Sequence, residues 1–148
     1  KKKTKKKKLI ENIKAFEKFI PNNSKILFET DFKPRENLIF IKKFNSKKFG
    51  LNYDTGNSAH LGNSVKSEMR ILYNYIDNIH IKDRKKNKST IDLGEGDFDF
   101  DFFFKFILSK NYSKNLILQT ARSKNKRHLD LLKKNRSFIN SFINEFKT

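Results

Sequence analysis

Phe49-Gly50-Leu51-Asn52-Tyr53-Asp54-Thr55-Gly56-Asn57 reads as a short strand that ends on a carboxylate and runs into small residues that let the chain turn. Three other β-like runs share the pattern. Lys25 to Phe32 carries Glu29 near its C-terminal end, Asn78 to Arg84 carries His80, and Asn115 to Arg122 carries Gln119. In parallel α/β architectures the C-terminal ends of the strands converge on one face. One metal-capable polar side chain per strand therefore predicts a single cluster built from residues far apart in the chain.

The segments between these runs have helical periodicity. Leu9, Ile13, Phe16 and Ile20 predict a helix over about Lys5 to Ile20, stopped by Pro21 and the Asn22-Asn23-Ser24 turn. Pro34 to Phe44 follows, with Pro34 suited to a first turn and Leu38 and Ile41 inward. Val65 to Tyr75 gathers Met69, Leu72, Tyr73 and Ile76 on one side, whereas Thr55 to Ser58 and the glycine-containing Leu93 to Asp97 read as loops. Phe100, Phe103, Phe104, Ile107 and Leu108 repeat at i, i+3, i+4, i+7 and i+8, a core-facing amphipathic helix with Asp97 or Asp99 as its N-cap. Leu132, Phe138, Phe142 and Phe146 mark a closing helix. Right-handed crossovers between the strands would make them parallel, in one α/β domain over residues 1–148 with no linker.

With 148 residues, 36% of them hydrophobic and 16 of them Phe, the chain can bury one core. It falls short of the roughly 200 residues of a complete eight-stranded βα barrel, so it is a piece of one or a smaller α/β unit. No apolar run approaches the roughly 18 residues of a membrane span, and the expectation is a soluble, cytoplasmic protein. Without cysteine there is neither a disulfide framework nor a thiolate zinc site, and any metal must take oxygen and nitrogen ligands. The formal charge of +18 comes from 28 Lys against 6 Arg, spread along the chain beside 17 Asn. A selected phosphate-binding surface favours the planar Arg fork, so this excess reads as a solvated, Lys-rich surface and nucleic acid is not the expected partner. The run Lys1 to Lys8, broken by Thr4, is the exposed start of the first helix or a basic tail.

Glu29 directly follows the apolar Ile26-Leu27-Phe28, where a buried carboxylate is costly unless paired, hydrogen-bonded or metal-bound. Asp54 is either a ligand or the cap of the next helix, and His80, between Ile79 and Ile81, is either a ligand or a hydrogen-bonded core residue. Together with Gln119 they offer two carboxylates, an imidazole and an amide oxygen. That set suits a divalent ion of the Mg, Mn, Co or Zn group, whose open positions would polarise a substrate carbonyl.

The segments Phe28-Glu29-Thr30-Asp31, Asn52 to Ala59, His80-Ile81-Lys82-Asp83-Arg84, Leu93 to Phe98 and Gln119-Thr120-Ala121-Arg122, in this order and spacing, resemble the second half of a sugar phosphate isomerase/epimerase of the xylose isomerase-like TIM-barrel superfamily. The resemblance covers nearly the whole chain. It implies a partial TIM (β/α)8 barrel, about four parallel βα units corresponding to strands five to eight and preceded by a helix, in a chain truncated on its N-terminal side. It further implies a divalent-metal-dependent sugar or sugar phosphate isomerase or epimerase. Glu29 is implied as metal ligand and catalytic acid/base, and Asp54 and His80 as metal ligands. Position 119, commonly a second metal-binding Glu, is Gln here; its carbonyl can ligate a metal, but an amide cannot shuttle protons as the catalytic partner there would. A two-carboxylate epimerisation is thereby put in question, while metal-assisted isomerisation stays open.

The same resemblance assigns substrate contacts. Arg84 falls where relatives place a substrate-binding Arg, Asn57 where relatives carry His, and Lys82, Asp83 and Arg122 are added as groups near the substrate. Gly94 and Gly96 would let a loop approach a sugar or its phosphate closely, or simply turn. The superfamily also contains zinc-dependent DNA-repair endonucleases, which supplies the alternative of an abasic-site nuclease; against it stand only three His in the chain. A third expectation is an inactive half-barrel, whose open strand edges pair with another copy or with a missing N-terminal half.

Overall fold

The computed structural model describes residues 2–123 and 125–146. Among them are the strands β1 (Ile26–Phe28), β2 (Phe49–Asp54), β3 (Ile76–Ile81), β4 (Asp83–Arg84), β5 (Thr90–Ile91) and β6 (Asn115–Leu118). The helices are α1 (Lys2–Phe16), α2 (Pro34–Ile41), α3 (Thr55–Leu61), α4 (Val65–Leu72), α5 (Phe100–Ser109) and α6 (His128–Glu145). The basic run opens α1; Lys1 lies outside the described residues.

Strands β1, β2, β3 and β6 form one parallel sheet in that order, and β4 pairs antiparallel with β5 in a small separate ribbon. Spatial order follows chain order without reversal. A doubly wound sheet would reverse direction near its middle, so the winding is that of a barrel, of which four units are present. Helix α2 packs on α4, α4 on α5 and α5 on α6, which lines the helices along one face. Strand alternation then sorts the side chains. Leu51, Tyr53, Ile79 and Ile81 are buried beneath the helices, while Asn52, Asp54, Asn78 and His80 share the other face.

Phe100, Phe103 and Phe104 of α5 are core, as their helical spacing predicts. Phe103, Phe104 and Ile107 are almost completely buried, and the Asp99 carboxylate caps α5 by accepting from the Phe102 amide at 2.9 Å. A second cluster joins Phe40, Phe44 and Phe49, with Phe28 stacked on Phe49 at 5.5 Å between ring centres. At the opposite end of the sheet from Glu29 and Asp54, Asp77 receives Lys25 at 3.0 Å and Lys114 at 2.6 Å. These two lysines precede β1 and β6, so the pairs tie both outer strands to β3. A side chain on Gly50 would collide with the Asp77 carboxylate that makes this tie.

Several expectations need correcting. Thr55 to Ser58 is not a loop but the start of α3, because Asp54 caps it through the Asn57 amide at 2.8 Å; Gly62 ends it in the left-handed region at φ 61°. The outer strands are shorter than predicted, leaving Glu29 and Gln119 just beyond the ends of β1 and β6. Ile76 belongs to β3 rather than to the preceding helix, which tightens into a 3-10 turn at Tyr73–Tyr75. In α6, Leu132 faces outward, and Asn135 and Ile139 take the buried positions while Phe138 and Phe142 pack on the core. No described helix is long and apolar enough to cross a membrane.

Candidate metal centre

The ends of β1, β2 and β3 bring Glu29, Asp54 and His80 together, each offering one donor atom within 4.8 Å of the others. Pairing sets this up directly, since Asp54 is the register partner of His80 in the β2–β3 ladder. His80 Nδ1 lies 3.2 Å from Glu29 Oε2. Between them sits Asn52, whose amide nitrogen is 2.6 Å from Glu29 Oε2 and 3.0 Å from His80 Nδ1. Asn52 thus donates to Glu29 Oε2 and also touches the imidazole, which fixes the two side chains relative to each other. Asn57 donates to the other Glu29 oxygen at 3.3 Å, and Asn78 donates to the Asn52 carbonyl at 2.6 Å.

The two carboxylates live in different surroundings. Glu29 is more than a third exposed, whereas the Asp54 side chain is wholly buried. Burial pushes the Asp54 carboxyl above its ordinary range, opposed by the Asn57 amide and the nearby Lys82 charge. Asp54 Oδ1 is used by the helix cap, but Oδ2 is buried without a hydrogen-bond partner. An orphaned carboxylate oxygen beside a second carboxylate and an imidazole is what a divalent cation would satisfy, so the donor set fits such an ion.

Gln119 is held near this group through Lys82, whose ammonium donates to Gln119 Oε1 at 3.1 Å and lies 3.6 Å from Asp54 Oδ2. Fully buried Thr55 anchors this corner by accepting from the Lys82 amide at 2.8 Å. Other predicted site residues lie elsewhere. Asp83 is completely buried, and its carboxylate accepts from the amides of Arg84, Gly94 and Gly96, each at 2.9 Å. The Gly94 and Gly96 amides are therefore turned onto a protein carboxylate. Gly94 adopts φ 85°, and a side chain on Gly96 would collide with Asp83, so both glycines serve this knot. Arg84 donates from Nε to the Lys88 carbonyl at 2.8 Å within the β4–β5 ribbon. Arg122 is exposed and lines, with Ser123, Thr90 and Asp92, an open cavity of about 450 Å³.

Asn52 and Asn78 are the site residues that sequence reading missed. Each stands two positions before a candidate ligand on its strand and so on the same face, a signal that period-2 alternation carries. Glu68 was missed as well. Buried on α4, it accepts from Tyr53 at 2.6 Å, from Ser58 and from Asn63 at 2.8 Å, behind the cluster. Burial raises its carboxyl above the usual range. Neither His60 nor His128 joins the cluster.

A family model described as a xylose isomerase-like TIM barrel matches residues 3–142. Among solved structures, the chain is similar to a xylose isomerase domain protein from Planctomyces limnophilus, with 18% identity, a TM-score of 0.68, and coverage of 80% of this chain and 46% of that one. It is similar to an L-ribulose 3-epimerase, with 21% identity, a TM-score of 0.65, and coverage of 85% and 48%. An IolI protein crystallised with a bound zinc atom matches with 13% identity, a TM-score of 0.61, and coverage of 76% and 44%. The chain thus spans about half the length of the structures it matches. No curated protein matches significantly in sequence.

Proposed function

We propose, on the premise that this chain belongs to the xylose isomerase-like TIM-barrel family, that it carries the reaction centre of a divalent-metal-dependent sugar or sugar phosphate isomerase or epimerase. One observation carries the reading: donor atoms of Glu29, Asp54 and His80 converge within 4.8 Å while Asp54 Oδ2 is buried and without a hydrogen bond. Glu29, Asp54 and His80, with the Gln119 carbonyl as a further oxygen, are the residues that would hold the ion. When bound, a divalent ion supplies Lewis-acid polarisation of a carbonyl.

The protein's own groups handle the proton. Glu29 is the exposed carboxylate of the pair, and the Asn52 and Asn57 amides hold its two oxygens in a set direction. It takes the proton from the hydroxyl-bearing carbon next to the carbonyl and returns it to the former carbonyl carbon, while the hydroxyl proton passes to the carbonyl oxygen, so that carbonyl and hydroxyl exchange places. Asp54 stays committed to the α3 cap through Oδ1. Gln119 moves no proton, so the centre contains one mobile base, which favours isomerisation by a single carboxylate over a two-carboxylate epimerisation. A small sugar or sugar phosphate in the cytoplasm is the substrate class that this chemistry serves.

Metal titration and turnover on a panel of sugars and sugar phosphates test the reading in the full-length protein. The expected result is stoichiometric binding of Mn, Mg, Co or Zn, activity abolished by a chelator, and loss of turnover by roughly a hundredfold or more in E29Q, the scale of a lost general base. A protein that binds no divalent metal, and whose E29Q variant keeps full turnover on an identified sugar, removes it.

A further inference from the structure

The ammonium of Lys82 is turned into the cluster. It lies 3.6 Å from Asp54 Oδ2 and donates to Gln119 Oε1 at 3.1 Å, with the lysine side chain only 20% exposed. The fold makes room for it. A Cβ on Gly56 would come within 2.7 Å of Lys82 Cγ and 2.8 Å of Cδ, so the missing side chain at the second residue of α3 opens the groove in which the lysine stem lies. The buried Asp54 oxygen with no hydrogen-bond donor thus already faces a cation. Gln119 adds no charge, which leaves two carboxylates and one ammonium around the centre.

We infer that Lys82 is the resident counter-cation of this centre: it covers the pole of Asp54 that a divalent ion takes, and it must swing away from Asp54 and Gln119 before the ion gains its full ligand set. The inference rests on the proposed function, which makes Asp54 a metal ligand. Two cations cannot share one carboxylate oxygen at short range without mutual repulsion. Lys82 therefore weakens binding of the ion, keeps it exchangeable, and neutralises the buried carboxylate when the ion is gone. Its release also frees the Gln119 carbonyl, so ammonium departure and completion of the ligand set are one movement.

Mn2+ titrations of the full-length wild type, K82M and K82Q test this. Both variants are expected to bind Mn2+ about tenfold more tightly or better, the scale of removing a unit charge about 4 Å from a ligand oxygen at a partly exposed position. Damage to the fold does not produce such a gain. A second measurement needs no variant: crystals of the wild type grown with Mn2+ should show Lys82 Nζ out of contact with both Asp54 and Gln119. Wild-type or weaker Mn2+ affinity in a folded variant, or Nζ still against Asp54 beside the bound ion, overturns the inference and leaves the metal centre standing. Absence of Mn2+ binding in wild type and variants alike overturns both.

Discussion

Asn52 Nδ2 lies 2.6 Å from Glu29 Oε2, so an amide from the interior of β2 sets the direction of the carboxylate that follows β1. Asn78 on β3 holds Asn52 in turn at 2.6 Å, and the three side chains form a hydrogen-bonded line across adjacent strands.

Breaking this line should weaken the centre without unfolding it. Asn52→Ala removes the donor to Glu29 and the neighbour of His80 Nδ1, and should reduce metal affinity about 10- to 100-fold, as is usual when groups that orient ligands are lost. Metal titration beside circular dichroism on one preparation checks it; unchanged affinity in folded N52A would deny Asn52 an orienting role.

Asp83 should matter to stability and not to metal binding. Three backbone amides converge on its fully buried carboxylate, and Asp83→Ala would strand them, at a cost of about 2–4 kcal/mol. Urea denaturation measures this, and Mn2+ affinity of the folded variant should equal that of the wild type. A stable D83A with impaired substrate binding would return Asp83 to the substrate contacts.

Glu68 predicts a pH dependence of known sign. Its carboxyl is raised above the ordinary range by burial, so the folded state holds this proton more tightly than the unfolded chain. The group's contribution is fully present below the ordinary Glu value of about 4.3 and is lost as pH rises from there through the raised value, with a slope of at most about 1.4 kcal/mol per pH unit. Glu68→Gln keeps an acceptor oxygen and cannot titrate. Denaturation curves from pH 4 to 7, with chelator present, should show a flatter stability profile for E68Q than for wild type; parallel profiles would contradict the raised value.

The 148-residue chain studied alone should self-associate. Among the described residues β1 and β6 each have one unpaired edge, and Phe16, Phe19, Ile39, Leu129 and Leu132 are apolar side chains at least 49% exposed. Open edges and apolar surface of this kind favour pairing. Sedimentation velocity at micromolar concentration should reveal dimers or larger species, and monodisperse monomers would refute the expectation.

Much of this was legible along the chain because it is encoded by near neighbours. Helical spacing located the Phe-rich α5 and its burial, and the placing of Glu29, Asp54 and His80 at successive strand ends announced the cluster. Cap and candidate ligand looked like alternatives for Asp54 in sequence; the structure uses Oδ1 for the cap and leaves Oδ2 without a hydrogen bond, so the two are compatible. The knot of Asp83 with Gly94 and Gly96 was not legible, since a glycine pair near an acid reads equally as an anion-binding loop until the direction of its amides is known.

Alternation of strand and helix, the single core and the set of chemically able residues follow from side-chain type and spacing along the chain. Which of those residues meet depends on strand register, which is settled by packing across the whole sheet. Here the β2–β3 ladder shifts between Leu51 and Asn52, from Leu51 opposite Ile76 to Asn52 opposite Asn78, so that Asp77 is passed over. That irregularity aligns Asn52 with Asn78 and Asp54 with His80 on one face. A one-residue slip would turn the same side chains toward the helices, and no local pattern records it. The inward turn of Lys82 is likewise a tertiary outcome, made by the space over Gly56 and the opposing charge of Asp54.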